Sequence, residues 1–203
     1  MNEDVAPMTI PKARLRQELI ARRDALPEGE RARIAAALTA GIARLPEYAA
    51  ARSVLATMSI GSEWSTRAFL DRARDDGKVL VLPRITARPR RLQLHAVEDL
   101  DRHLLPGIWS IPEPDPRRCP ETQLADVDFA LVPALAVDRA RFRLGYGAGY
   151  FDRLLAGRAG RPFCVTALPS AFVIESLPHE PHDVPVDLVL DERGPLASRE
   201  GRA

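Results

Sequence analysis

The stretch DFALVPALAVDRARFRLGYGAGYFDR, residues 128–153, joins an apolar run to a glycine-spaced turn and then to a helix start that carries a carboxylate. Residues 129–137 are too few to span a membrane, and their Leu and Val content predicts a strand buried on both faces, as in parallel sheets. Pro133 interrupts the run near an expected strand end. After the polar stretch 138–143, Gly145, Gly147 and Gly149 leave out three side chains, so backbone N–H groups can converge on one anion and approach it closely. A helix is predicted over residues 150–155. Its free N–H groups and positive dipole end would face the loop, which suits a phosphate. Asp152 falls in its first turn, within reach of a Mg2+ that bridges phosphate oxygens, and Arg143 and Arg153 add positive charge nearby. Without a ligand, the same residues read as a flexible loop and an acid that complements the helix dipole. The spacing is not GxxxxGK[ST], and no GxGxxG with a suitably placed acid is present. Neither a Walker-type loop nor a dinucleotide fold is therefore predicted.

Outward from this stretch the chain alternates in a way that indicates βαβ units. Thr9 can cap a helix with Pro11 in its first turn, and Leu15, Leu19 and Leu26 fall on one side of it. A second helix is expected over 28–45, a strand over 53–60, a helix over 65–76 stopped by Gly77, and a strand over 79–82. The proline-rich middle, 88–120, carries a short strand at 92–97 and reads as a lid or arm, because Leu104, Leu105, Ile108 and Trp109 need burial. Strands at 163–168 and 186–190 complete the set. Helices on both faces of a mostly parallel sheet follow, with ligand outside the carboxyl ends of the strands.

With 203 residues, 46% of them hydrophobic, one sizeable core and a single domain over 1–203 are expected. The balance of 29 basic and 28 acidic residues, net +1, gives no general attraction to nucleic acid or to an anionic membrane, so any basic site must be local. Cys119 and Cys164 lack metal-ligand spacing and read as reduced thiols of a cytoplasmic protein, with a single disulfide between them as the alternative. The first residues lack a signal-peptide pattern, and no segment is long enough to cross a bilayer.

Several side chains are candidates for chemistry. Lys12, Arg16 and Arg23 share one helix face, a pattern that is ordinarily solvated. Glu63 follows the 53–60 strand in a loop before a helix, where ligand sites of α/β proteins lie; a capping role is the plain alternative. Met58 and Trp109 fit either core packing or a ligand pocket. His179 and His182 are not spaced as HExxH, and Pro181 disfavours a helix through both, so a zinc site is not predicted.

The string RLGYGAGYFDR resembles the RLGYGGGYYDR signature of the 5-formyltetrahydrofolate cyclo-ligase family. KARLR from Lys12, GSEWST from Gly61, LPR from Leu82, GIWSIPEP from Gly107 and LPHEPHDVPVD from Leu177 follow in that family's order, so the resemblance covers residues 10–192. Ala148 stands where a glycine is usual and Phe151 where a tyrosine is usual. The resemblance implies a three-layer α/β/α fold with a mostly parallel sheet, NagB/RpiA/CoA transferase-like. It implies a ligase that converts 5-formyltetrahydrofolate to 5,10-methenyltetrahydrofolate, with ATP as co-substrate and Mg2+ as cofactor, in a cytoplasmic monomer without nucleic-acid or membrane partners. Lys12, Arg16 and Arg143 are the catalytic candidates. Nucleotide contacts are implied for Lys12, Ala13, Arg14, Leu15 and Arg16, and for Leu144, Gly145, Tyr146, Gly147, Ala148, Gly149, Tyr150, Phe151 and Asp152. Folate contacts are implied for Arg16, Met58, Glu63, Trp109 and Gly147 to Tyr150, and metal contacts for Asp152 and Asp183. A sugar-phosphate isomerase or acyl-transfer enzyme on a related scaffold would need a base or nucleophile of its own, and a non-catalytic binding module would hold both ligands without releasing phosphate.

Overall fold

The computed structural model describes residues 11–86 and 88–196, so the Thr9 cap lies outside the described residues. The first helix, α1 (Lys12–Asp24), follows Pro11. The helix expected over 28–45 is α2 (Glu28–Ala43), and a separate short helix, α3 (Pro46–Ala50), begins on Pro46, whose missing N–H suits a first turn but not a helix interior. Strand β1 (Ser53–Leu55) is shorter than the expected 53–60, because the Thr66 hydroxyl accepts from Ser59 N at 3.0 Å and donates to Thr57 O at 2.7 Å, folding the following residues into a turn. Helix α4 (Arg67–Asp75) ends before Gly77, whose φ of +74° a side chain would resist.

The middle of the chain is more regular than expected. Strand β2 (Val79–Thr86) pairs antiparallel with β3 (Arg91–Val97), from Leu80 opposite Val97 to Thr86 opposite Arg91. A small hairpin follows, β4 (Leu104–Pro106) with β5 (Pro112–Pro114), and then β6 (Glu121–Thr122) beside β3.

The single strand expected over 129–137 is in fact two, β7 (Phe129–Leu131) and β8 (Ala136–Asp138). Pro133 has no N–H to offer the ladder, and after Val132 N donates to Val165 O at 2.8 Å the chain leaves the main sheet. With β9 (Arg143–Leu144) and β11 (Val173–Ile174), β8 builds a three-stranded sheet of its own. Between these come α5 (Tyr150–Leu155) and β10 (Phe163–Ala167); β12 (Leu188–Asp191) and β13 (Gly194–Pro195) close the fold.

The main sheet has the order β13-β12-β10-β7-β1-β2-β3-β6, with parallel pairing from β12 to β2 and antiparallel edges. Its side chains alternate between two cores. Val54, Leu80, Phe129 and Val165 face α2, α3 and α4, whereas Leu55, Val81, Ala130 and Cys164 face α1 and α5 through Leu19 and Leu155. Three layers result, as expected, and both cysteines are free and buried within them. No described helix is long and apolar enough to cross a membrane.

Candidate functional site

The glycine loop hangs between β9 and α5, carried by the small sheet rather than by the main one. Gly147 and Gly149 have φ of +99° and +64°, so the glycine requirement falls on these two residues; Ala148, where a glycine was usual, is not at positive φ. Asp138, 2% exposed, holds the base of the loop by accepting from Phe142 N at 2.9 Å and Leu177 N at 3.0 Å. That one carboxylate joins the segment leading to Asp152 with the segment leading to Asp183.

The basic face of α1 is not solvated. Arg16 Nε donates to Gly145 O at 2.8 Å and its guanidinium lies against Gly147. Arg23 donates to the Tyr146 hydroxyl at 2.6 Å and to Ser62 Oγ at 2.9 Å. Lys12 Nζ lies 2.7 Å from Asp183 Oδ2 and 3.3 Å from Glu180. Burial is the largest single influence on both charges of the Lys12–Asp183 pair and works against them, but their mutual hydrogen bond, the contacts to Glu180 and the opposite charges together exceed it: the ammonium titrates above its ordinary range and the carboxyl below. Ala13 and Arg14 face solvent, Arg14 paired with Glu18, while Leu15 packs into the core beside α1.

Asp152 lies at the start of α5, its Oδ1 accepting from Arg143 at 2.9 Å and from Val184 N at 3.3 Å. The Arg143 side chain is only 3% exposed, and burial pulls its pKa down against the opposing charge of Asp152. Asp152 and Asp183 are therefore neighbours across the Val184 amide. Among the described residues no group of three or more His, Cys, Asp or Glu side chains is arranged to hold a metal ion, so a cation here would draw further oxygens from water or a ligand. His179 stacks on Phe142 with 4.0 Å between centroids, and His182 is exposed.

A cavity of about 440 Å³ opens beside the loop. One wall is the loop, from Gly145 and Tyr146 to Asp152 with Arg143; the other is apolar, from Ile60, Leu82, Ile85, Leu92 and Ile111. Met58, Glu63 and Trp109 line it too. Trp109 is 65% exposed, at φ +58°, and meets Tyr150 edge-on with centroids 6.5 Å apart, so it is a wall residue and not a core one. Glu63 is already engaged: Oε1 accepts from the Tyr146 hydroxyl, Oε2 accepts from Ile60 N at 2.9 Å, and Arg23 lies 3.8 Å away. Burial and the Glu63 charge push the Tyr146 phenol well above its ordinary range. Lys12, Arg16 and Asp183 do not line this cavity but flank its loop wall. Sequence reasoning did not single out Glu113, a buried acid in the apolar wall; its position between two prolines in an otherwise apolar segment was the available signal.

The model of the 5-formyltetrahydrofolate cyclo-ligase family matches residues 9–192. The chain belongs to that family. It is 34% identical over 191 residues to the 5-formyltetrahydrofolate cyclo-ligase of Mycolicibacterium smegmatis, covering 93% of this chain and 97% of the relative. The mouse 5-formyltetrahydrofolate cyclo-ligase is 26% identical, covering 95% of this chain and 100% of that one. The solution structure of the 5,10-methenyltetrahydrofolate synthetase of Aquifex aeolicus superposes with a TM-score of 0.82 at 30% identity, covering 96% of both chains. Membership makes the chain a cyclo-ligase enzyme acting on small molecules. The isomerase, acyl-transfer and non-catalytic readings are thereby set aside.

Proposed function

We propose that this enzyme uses ATP and Mg2+ to convert 5-formyltetrahydrofolate to 5,10-methenyltetrahydrofolate, releasing ADP and phosphate. The observation that carries the reading is the two-sided cavity, an apolar wall with exposed Trp109 facing a glycine loop that Arg16 and Arg143 flank, with Lys12 held nearby on the Asp183 segment. The first wall suits a reduced pterin, and the second suits phosphates. A formyl oxygen on nitrogen is a poor leaving group. Its phosphorylation gives an iminophosphate, which the substrate's own N10 attacks as phosphate departs. Because N10 is tethered near its target, holding one conformer supplies much of this second step, and no protein nucleophile is called for.

In this reading the backbone of Gly145 to Tyr150 and the charges of Lys12 and Arg16 bind the triphosphate and take up charge that spreads over the transferred group. Glu63, Met58 and Trp109 orient the folate. Two neighbouring carboxylates and no thiolate form a donor set that fits Mg2+, so Asp152 and Asp183 would hold it. Bound there, Mg2+ would neutralise part of the phosphate charge. A single chain carries every residue invoked, so a monomer suffices, and a cytoplasmic location belongs to the same proposal. The test is to mix enzyme, Mg-ATP and 5-formyltetrahydrofolate and follow the methenyl chromophore. Product is expected only when ATP, divalent metal and formyl substrate are all present; product without ATP overturns the ligase mechanism.

A further inference from the structure

Glu113, on β5, has no task in that reading. It is 3% exposed, it lines the cavity beside Trp109, Ile85 and Ile111, and its Oε1 is buried without a hydrogen-bond partner. The fold makes room for it. A Cβ at Gly107 would fall on Cγ and Cδ of Glu113 and lie 2.7 Å from Oε1, so the carboxyl fills the space that glycine leaves. Burial lifts its pKa above the usual carboxylate range, only partly offset by the backbone N–H groups of Ile85 and Ile108 and by the charge of Arg84. An acceptor buried without a donor is costly, and such groups persist where a ligand or reaction uses them. Glu63 has a partner on each oxygen, so of the two glutamates in the wall Glu113 is the one whose carboxyl keeps an unpaired oxygen.

Resting on the formyl-folate reading, we propose that Glu113 is a substrate-contacting residue whose carboxyl accepts an N–H donor of the pterin ring at the Trp109 end of the cavity. The apolar side chains around it cover the ring faces, and the carboxyl supplies the polar contact that fixes ring orientation. A ring without edge N–H donors would leave the oxygen unpaired, so Glu113 also selects for a 2-amino-4-oxo pteridine over an apolar bicycle of equal size.

The test compares Glu113→Gln and Gly107→Ala with the wild type by calorimetric titration, first with 5-formyltetrahydrofolate alone and then with a non-hydrolysable ATP analogue, alongside thermal melts. Glutamine can keep one oxygen on the backbone N–H groups while turning an NH2 toward the ring, a donor against a donor. Alanine at 107 displaces the carboxyl without altering its chemistry. Both variants are expected to bind the formyl substrate at least about tenfold more weakly with nucleotide affinity nearly unchanged; Glu113→Gln keeps its melting temperature, whereas Gly107→Ala, which crowds a buried side chain, melts lower. Normal formyl-substrate binding by Glu113→Gln overturns the inference, as does an equal loss for both ligands with a lowered melting temperature. Wild-type protein that fails to bind the formyl substrate overturns the formyl-folate reading and this inference together. Wild-type turnover with an unaffected glutamine variant overturns this inference alone.

Discussion

Asp152 shows how much one residue's surroundings add to its motif. Its place after a glycine loop is legible in the sequence, but its partner is not: Arg143 lies nine residues earlier, and the pairing exists because β9 buries the guanidinium and aims it at α5. Asp152→Asn should therefore do two things. Losing its charge partner, the buried guanidinium lowers stability, by about 1–2 kcal/mol given that Asp152 remains 24% exposed. Under the proposed ATP and Mg2+ mechanism, turnover should also fall at least about 100-fold at saturating Mg-ATP, because weakening the proposed cation site leaves phosphate charge uncompensated. A melt and a steady-state assay on the same preparation separate the two effects. Near-normal turnover with a lowered melt would make Asp152 solely the partner of Arg143. Glu63 was equally legible as a loop acid, yet its coupling to Tyr146 and Arg23 was hidden, since it depends on α1 docking across residues far apart in the chain.

Among the elements, the glycine loop makes a sharp distinction between glycines that look alike in sequence. Gly149 sits at φ +64° with Arg153 Nη1 3.0 Å from the position a Cβ would take, whereas Gly145 is at ordinary φ with nothing within 4 Å of that position. Gly149→Ala is expected to cost about 1–2 kcal/mol and to cut turnover with it, while Gly145→Ala leaves the melting temperature within experimental scatter. Equal melts for the two variants would show that the left-handed turn is not required. The alternation of helices and strands and the stop at Gly77 were readable from local chemistry; Pro133 signalled an interruption but not the division of the run into two strands. The transfer of β8 to a second sheet was not, because a buried apolar run looks the same whichever sheet receives it. The long pairing of β2 with β3 was likewise masked by prolines and arginines, among them cavity-lining Pro83, half-buried Arg84 and exposed Arg91.

At the scale of the whole molecule, a polar tie between two helices beside the first core sets a pH limit on stability. Tyr48, 2% exposed, donates to Asp76 Oδ2 at 2.8 Å and so joins α3 to the end of α4. The Tyr48 hydrogen bond, then that of Arg72, holds the Asp76 carboxyl below its ordinary 3.8, against the opposing effect of burial. For a carboxyl depressed on folding, the stabilisation is complete above the unfolded pKa and is lost as pH falls through the folded one. Tyr48→Phe should accordingly lower stability by about 1 kcal/mol near neutrality, with the gap from wild type closing as the pH falls below the ordinary carboxylate range. Denaturant titrations at several pH values check this, and a gap independent of pH would refute it. The cysteines offer a second measure of integrity. Burial lifts the Cys164 thiol to about 11 and raises that of Cys119, so both should resist alkylation until the chain unfolds.

Asp138 has a consequence for motion. Because its two oxygens secure the Phe142 and Leu177 amides, the strap before Asp152 and the strap before Asp183 cannot loosen independently. The two amides should then exchange their hydrogens with deuterium at matched, slow rates, through one shared opening event. Breathing of the fold would carry both acids together, so their spacing survives fluctuations that shift the loops relative to the main sheet.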